Sequence, residues 1–185
     1  MASSQAPSSD MRTTHRILAR HGLNDVYFCR SDTPGLGDCF FHAIVDQLSD
    51  KEIRESVGSL ARGIPRNANV IRKSVVNFAR QNQDNFLADE TVLNMLQSDE
   101  DNAGGNRDLF TIWDEYLRGM SVPGTWATEL IVKITAIYFG KDILSIKNSY
   151  KAVWLGGNQA VNPQFVIVNI GDWHFMSVHR RSRLA

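Results

Sequence analysis

Cysteine is scarce in this 185-residue sequence, which contains Cys29 and Cys39 and no others. One disulfide between residues this close would add little stability to a chain of this length, so we expect free thiols in a reducing, intracellular setting. A Cys29–Cys39 bridge stays an alternative at this stage. No run approaches the roughly 18 apolar residues of a membrane span, and no secretory signal is visible. We therefore expect a cytoplasmic location and no membrane partner.

Positive and negative side chains are also balanced in number. Lys plus Arg and Asp plus Glu are each 20, so the formal net charge is zero. This balance argues against recognition of nucleic acid by bulk charge. The scattered histidines and two cysteines lack metal-ligand spacing, and there is no glycine-rich phosphate loop. We therefore expect no metal and no cofactor.

The chain lacks internal repeats and long linkers, which indicates a single folding unit. The polar opening "MASSQAPSSD" predicts a partly disordered region over residues 1–20. We expect residues 21–181 to form a single domain and the protein to be a monomer. Apolar residues recur at helical spacing in the first three quarters of the chain, with a capping-box pattern at residues 49–52. Short β-branched segments follow. This order predicts an α+β fold, a small sheet packed against helices. The predicted helices are at residues 39–48, from 49, 69–80, 107–119 and 125–140. An acidic loop is predicted at 97–108, and the predicted strands are at 25–30, 142–146, 163–170 and 174–179.

Cys39 stands where the turn "GLGD" meets the helical pattern "CFFHAIVDQL". Free N–H groups and the helix dipole at a helix start favour a thiolate. The preceding glycine lets the backbone approach a substrate, and the N–H groups of the turn can face an oxyanion. These features suit a nucleophile, although a buried structural cysteine explains the same position.

A thiol nucleophile needs a base that later protonates the leaving amine. His42 is on the same predicted helix as Cys39, where it is poorly placed to reach across a scissile bond. His174 follows the turn "GD" at the start of the last predicted strand, between Trp173 and Phe175. A half-buried strand histidine is the alternative interpretation of that position.

Three segments, in order, resemble the motifs of the ovarian-tumour (OTU) cysteine proteases. "GLGDCFFHAI" is similar to the nucleophile motif, "GTWATELIVKITAIYFGKDILSI" to the central helix and strand, and "WHFMSVH" to the terminal histidine strand. The resemblance implies a papain-like OTU fold with a small, mostly antiparallel sheet packed between helices. It also implies a deubiquitinase in which Cys39 is the nucleophile and His174 the base and acid. Gly37 and Asp38 would form the oxyanion turn, with Trp126, Glu129 and Leu130 as framework.

Two positions depart from the family pattern. Leu36 stands where the family often has aspartate, and Met176 stands where many members have the Asn or Asp that orients the histidine. Asp32 and Asp172 are the candidate substitutes, and we favour Asp32 because some relatives supply this acid from upstream of the cysteine. A Cys–His dyad without a third member is a further alternative.

The resemblance makes ubiquitin or polyubiquitin the expected partner. The short chain favours a microbial, viral or mobile-element member, acting in the host cytoplasm if it is a viral protein or a bacterial effector. Two other functions stay open: a catalytically weak OTU-like module that binds ubiquitin, and a cysteine protease that processes a polyprotein. Activity on ubiquitin-like modifiers is also possible under this hypothesis.

Overall fold

The computed structural model describes residues 8–35, 37–57, 68–99, 107–154 and 163–181. Within these ranges the chain forms an α+β fold, as the sequence predicts. The helices are α1 (Ser9–Arg20), α2 (Cys39–Gln47), α3 (Asp50–Val57), α4 (Ala68–Gln81), α5 (Gln83–Leu87), α6 (Glu90–Asp99), α7 (Leu109–Met120) and α8 (Glu129–Phe139). The strands are β1 (Tyr27–Phe28), β2 (Ile143–Ile146), β3 (Lys151–Trp154), β4 (Phe165–Ile170), β5 (His174–Ser177) and β6 (His179–Arg180). Among the described helices, none has the length and apolar character that crossing a membrane requires.

The main sheet has four strands in the order β3-β2-β4-β5. Strands β2 and β4 are parallel, whereas β3 and β5 run antiparallel to their neighbours. A second, two-stranded antiparallel sheet joins β1 to β6, with Phe28 opposite His179. The expected small, mostly antiparallel sheet is therefore confirmed.

Helices cover both faces of the main sheet. Along β4, Phe165 and Ile167 join the larger apolar cluster, which contains buried residues of helices α2 to α8. Val166 and Val168 point to the opposite face and join a smaller cluster with α1. This alternation follows from the twofold periodicity of a strand, and it confirms the predicted packing between helices.

Local sequence signals account for several helix boundaries. Ser49 and Glu52 form the predicted capping box, in which the Ser49 N–H donates to the Glu52 carboxylate (2.7 Å) and the Glu52 N–H donates to Ser49 Oγ (3.3 Å). Thr128 caps α8 through a hydrogen bond from the Ile131 N–H. Gly140 ends α8 in the left-handed conformation, with φ 59°.

Three details differ from the sequence-based expectations. The acidic loop predicted from residue 97 begins later, because residues 97–99 belong to α6; residues 100–106 of that segment lie outside the described residues. Helix α7 extends one residue past Gly119, the predicted end, to Met120. Strand β3 was not predicted, because its alternating exposed and half-buried side chains give a weak apolar pattern.

The structure also differs from the expected division at residue 20. Residues 9–20 form α1, and its N-terminus is capped by Ser8, whose Oγ accepts from the Met11 N–H. Ile17 and Leu18 are buried against the sheet. The polar sequence at the start of the chain conceals this helix because few of its side chains are apolar. Residues 1–7 lie outside the described residues.

We predict that Leu18→Ala lowers the free energy of unfolding by about 2–5 kcal/mol, because it removes a fully buried side chain between α1 and the sheet. Arg16→Ala, on the exposed face of the same helix, is the control and should change the value by less than about 0.5 kcal/mol. Urea denaturation followed by far-UV circular dichroism measures both. Equal stabilities for the two variants would show that α1 does not belong to the folded core.

Candidate active site

Cys39 is the first residue of α2, and the polypeptide around His174 lies directly against its sulfur. The thiol donates to the carbonyl oxygen of Trp173 (Sγ···O 3.5 Å), and the N–H of Phe175 donates to the sulfur (N···Sγ 3.3 Å). The residue between these two contacts is His174, the first residue of β5. The fold therefore places the Cys39 thiol against the backbone that carries His174, although the two residues are far apart in the sequence.

The two cysteines are free thiols, so the alternative of a disulfide between them is wrong. Burial raises the pKa of Cys39, and the backbone N–H groups of Phe175, Phe40 and Cys39 oppose that rise without cancelling it. The expected stabilisation of the thiolate at the helix start is thus outweighed by desolvation in the free protein. The pKa of Cys29 rises to about 11, because burial and the nearby carboxylates of Asp32 and Asp46 disfavour its thiolate.

The turn before Cys39 depends on a close approach between two backbone segments. Gly37 has a φ of 83°, and a Cβ at this position would lie 1.7 Å from the carbonyl oxygen of Gly124. Both the left-handed conformation and the lack of space require glycine. Leu36 lies outside the described residues. The predicted oxyanion turn is consequently fixed against the loop between α7 and α8.

Asp38 holds that loop from the other side of the turn. Its carboxylate accepts from the N–H of Gly124 (3.1 Å to each oxygen) and from Nη2 of Arg72 (2.7 Å). Asp38 occupies the N-cap position of α2, but its side chain makes no capping hydrogen bond. The carboxylate therefore anchors the loop rather than the helix, which leaves the N–H groups at the start of α2 to face the sulfur and its surroundings.

Arg72 is the residue of this site that the sequence interpretation missed. Its side chain is fully buried and donates to the carbonyl oxygens of Gly37, Met120 and Thr125, at 2.8–3.0 Å. The guanidinium also lies over the Phe41 ring, 4.5 Å from its centroid. A signal was present in the sequence, because Arg72 falls on the same helical face as the buried residues Ala68, Val75, Val76 and Ala79.

A second polar network fixes α2 against β5. The carboxylate of Asp46 accepts from Ser177 Oγ (2.7 Å) and lies 2.7 Å from His179 Nε2. Burial alone would raise the pKa of Asp46, but the hydrogen bonds from Ser177 and His179 hold it below its usual value. Because α2 carries Cys39 and β5 carries His174, this network sets the register between the two.

The two candidate orienting acids have other partners. The Ser8 hydroxyl donates to Asp32, and Asp172 pairs with Lys147 (2.9 Å). Met176, at the position of the family's usual third residue, is fully buried. Among the described carboxylates, that of Asp10 lies within ion-pair distance of His174, with Oδ2 3.7 Å from Nε2. Sequence reasoning missed Asp10, because Asp10 lies in the segment for which a polar composition predicts partial disorder.

The predicted framework residues have different environments. Leu130 is fully buried, as expected of framework, and Glu129 pairs with Lys147 (2.9 Å). Trp126 is instead 45% exposed, and its ring lies 6.3 Å from that of Trp173, which is 60% exposed. These two indoles, the tryptophan pair, form an apolar surface beside the nucleophile.

The turn before β5 places the second indole of the tryptophan pair. Gly171 and Asp172 both have positive φ angles, of 63° and 66°. A Cβ on Gly171 would lie 2.2 Å from Nε1 of Trp173, so the indole packs on bare backbone. Aspartate tolerates the left-handed region better than most residues, and here its carboxylate is tied to Lys147. The "GD" turn thus has a positioning role beside the site.

Within the described ranges, no group of three or more His, Cys, Asp or Glu side chains is arranged to bind a metal ion. The chemical groups that the site does assemble are a thiol, an imidazole, a helix start and exposed indoles. This set fits covalent catalysis by a cysteine.

The sequence matches no family model and no curated protein. Solved structures do match it. The viral OTU domain protease from Taggert virus is 14% identical with a TM-score of 0.57 over 86% of this chain and 83% of that one. The corresponding protease from Farallon virus is 19% identical (TM-score 0.56; 85% and 86%), and the Hazara virus OTU bound to ubiquitin is 15% identical (0.52; 85% and 84%). This chain has the fold of the OTU domain.

Proposed function

We propose that this chain is a cysteine-type deubiquitinase that cleaves the bond after the C-terminal glycine of ubiquitin. The observation that carries the proposal is the contact of the Cys39 sulfur with the backbone on both sides of His174. The OTU fold supports it, since one similar structure is an OTU domain bound to ubiquitin. Ubiquitin-like modifiers are further candidate substrates of the same site.

In this mechanism His174 takes the proton of the Cys39 thiol as the sulfur attacks the carbonyl carbon of the isopeptide bond. The raised pKa of Cys39 keeps the thiol protonated until a base accepts its proton, so the imidazole is needed for attack. The carbonyl oxygen becomes an oxyanion, and N–H groups of the Gly37–Cys39 turn donate to it. No cofactor takes part.

The tetrahedral intermediate then collapses. His174 gives its proton to the lysine nitrogen, the carbon–nitrogen bond breaks, and a thioester joins ubiquitin to Cys39. Water, deprotonated by the same imidazole, attacks the thioester and releases the ubiquitin carboxylate. The thiol recovers its proton, and the enzyme returns to its first state.

The tryptophan pair is the surface that we assign to the C-terminal segment of ubiquitin. It adjoins the nucleophile through the Trp173 carbonyl oxygen, and exposed aromatic side chains are typical anchors of binding interfaces. Glycine at the scissile bond suits a site crowded by two indoles, since it brings no side chain.

A ubiquitin-binding module with weak catalysis is the second candidate function. The raised pKa of Cys39 and the burial of Met176, where an orienting acid is usual, favour it. Turnover distinguishes the two: an enzyme hydrolyses a ubiquitin C-terminal fluorogenic substrate at catalytic concentrations, whereas a module binds ubiquitin without releasing the fluorophore.

We predict that Cys39→Ala abolishes this hydrolysis and abolishes labelling by a ubiquitin probe with an electrophilic C-terminus. Cys29→Ala is the matched control and should keep both, because the pKa of Cys29, about 11, leaves almost no thiolate near neutral pH. Intact-protein mass spectrometry follows the labelling. Labelling that survives Cys39→Ala would contradict the assignment of the nucleophile.

We predict that Trp173→Ala raises KM for the ubiquitin substrate about tenfold or more, because it removes a large apolar contact next to the scissile bond. The control is Val153→Ala, which changes another exposed apolar residue (52% exposed) on the edge strand β3 and should leave KM unchanged. Steady-state kinetics over a range of substrate concentrations measures both. If Trp173→Ala has the same KM as the unmodified protein, the tryptophan pair is not part of the substrate site.

We predict that Arg72→Met lowers the free energy of unfolding by about 3–5 kcal/mol, because it breaks a buried ion pair with Asp38. It should also lower kcat, since the carbonyl of Gly37 loses its donor and the oxyanion turn loses its fixed orientation. The control is the double variant Arg72→Met with Asp38→Asn, which removes the unpaired charge.

The double variant should regain part of the stability but none of the lost kcat. Urea denaturation and steady-state kinetics at a temperature where each variant is folded separate the two effects. Recovery of kcat together with stability would show that Arg72 supports the fold without orienting the turn.

A further inference from the structure

The imidazole of His174 has no polar partner from its own strand. His174 and Met176 share one face of β5, since side chains two residues apart point the same way. Met176 is fully buried on this face and packs with Ile17 and Leu18 of α1. Helix α1 therefore covers the place from which a residue two positions after the histidine would act.

That helix also brings a carboxylate to the imidazole. Asp10 lies in the first turn of α1, and its Oδ2 is 3.7 Å from Nε2 of His174. The His174 side chain is 16% exposed, whereas that of Asp10 is 50% exposed. The imidazole is thus mostly buried, while the carboxylate lies at the surface, where Ser9 Oγ donates to its Oδ1 (3.3 Å) and Oδ2 faces the imidazole.

The start of α1 is itself fixed near the active-site turn. Ser8 caps the helix by accepting from the Met11 N–H (3.1 Å), and its hydroxyl donates to the carboxylate of Asp32. Asp32 belongs to the segment that leads into Gly35, and a Cβ at Gly35 would lie 4.0 Å from Cε1 of His174. Asp32 therefore anchors the start of α1, the helix that carries Asp10, through its hydrogen bond with Ser8.

We propose that Asp10 is the positioning residue of the catalytic histidine: its carboxylate accepts from Nε2–H of His174 and leaves Nδ1 to exchange a proton with Cys39. The proposal rests on the proposed deubiquitinase function. The two candidate orienting acids have other partners, since Asp172 pairs with Lys147 and Asp32 accepts from Ser8. The third member of the site comes from the N-terminal helix.

Asp10→Ala should lower kcat about tenfold to a hundredfold and leave KM within about twofold, because the orientation of the base changes while the substrate surface does not. Asp10→Glu should recover part of the loss. Asp32→Ala and Asp172→Asn should each reduce kcat less than Asp10→Ala does, and asparagine is chosen because it tolerates the left-handed conformation of residue 172. Steady-state hydrolysis of the fluorogenic ubiquitin substrate measures all four variants.

An exchange of neighbouring residues separates position from charge. The double variant Ser9→Asp with Asp10→Ser keeps one carboxylate in the first turn of α1, so the favourable interaction with the helix dipole remains. The exchange removes the carboxylate from position 10, which faces His174. We expect its kcat to fall as far as that of Asp10→Ala, with an unchanged melting temperature.

A measurement without ubiquitin tests the same residue if turnover is absent. In a Cys29→Ala background, the rate of Cys39 alkylation by iodoacetamide should fall about tenfold in Asp10→Ala, because a misplaced imidazole accepts the thiol proton less well. No turnover by the unmodified protein, with slower alkylation in Asp10→Ala, would refute the proposed function alone. Unchanged alkylation and unchanged kcat in Asp10→Ala, or a fully active exchange variant, would refute the role of Asp10.

Discussion

The buried guanidinium of Arg72 is the interaction on which the candidate site depends. It joins α4 to the carbonyl of Gly37, the carboxylate of Asp38 and the loop that follows α7. Because a peptide unit is planar and trans, holding the carbonyl of Gly37 also fixes the direction of the next N–H, that of Asp38. One side chain thereby sets the conformation of the turn that leads into Cys39. The cost of burying its charge is offset by the carboxylate and the three carbonyl oxygens.

The remaining elements position groups around this turn, each with its own fixing contact. Ser177 of β5 and His179 of β6 hydrogen-bond to Asp46 on α2, and these contacts fix the strand that carries His174. The "GD" turn holds Trp173 over bare backbone. A site assembled from separate elements in this way relies on contacts outside the reacting groups for its precision.

Sequence reasoning succeeded where the signal was local or carried by a known motif. Helical periodicity, the Ser49 capping box and the three OTU-like segments predicted five of the eight described helices and three of the four strands of the main sheet. They also predicted that Cys39 and His174 lie close together. It failed where tertiary contacts reverse a local preference. Arginine is rarely buried, so Arg72 was passed over, and a polar N-terminal segment concealed α1 and with it Asp10.

The raised pKa of Cys39 changes the role of the helix start at this site. Phe40 and Cys39 direct N–H groups at the sulfur, yet burial keeps the proton on the thiol in the free protein. The same donors become worth more when negative charge develops on a desolvated substrate oxygen, because they are already oriented. Interactions that strengthen only in the transition state raise kcat, whereas a stabilised resting thiolate lowers the energy of the ground state. A buried, neutral thiol is therefore compatible with the proposed catalysis, in which the rate of proton transfer depends on the orientation of the His174 imidazole.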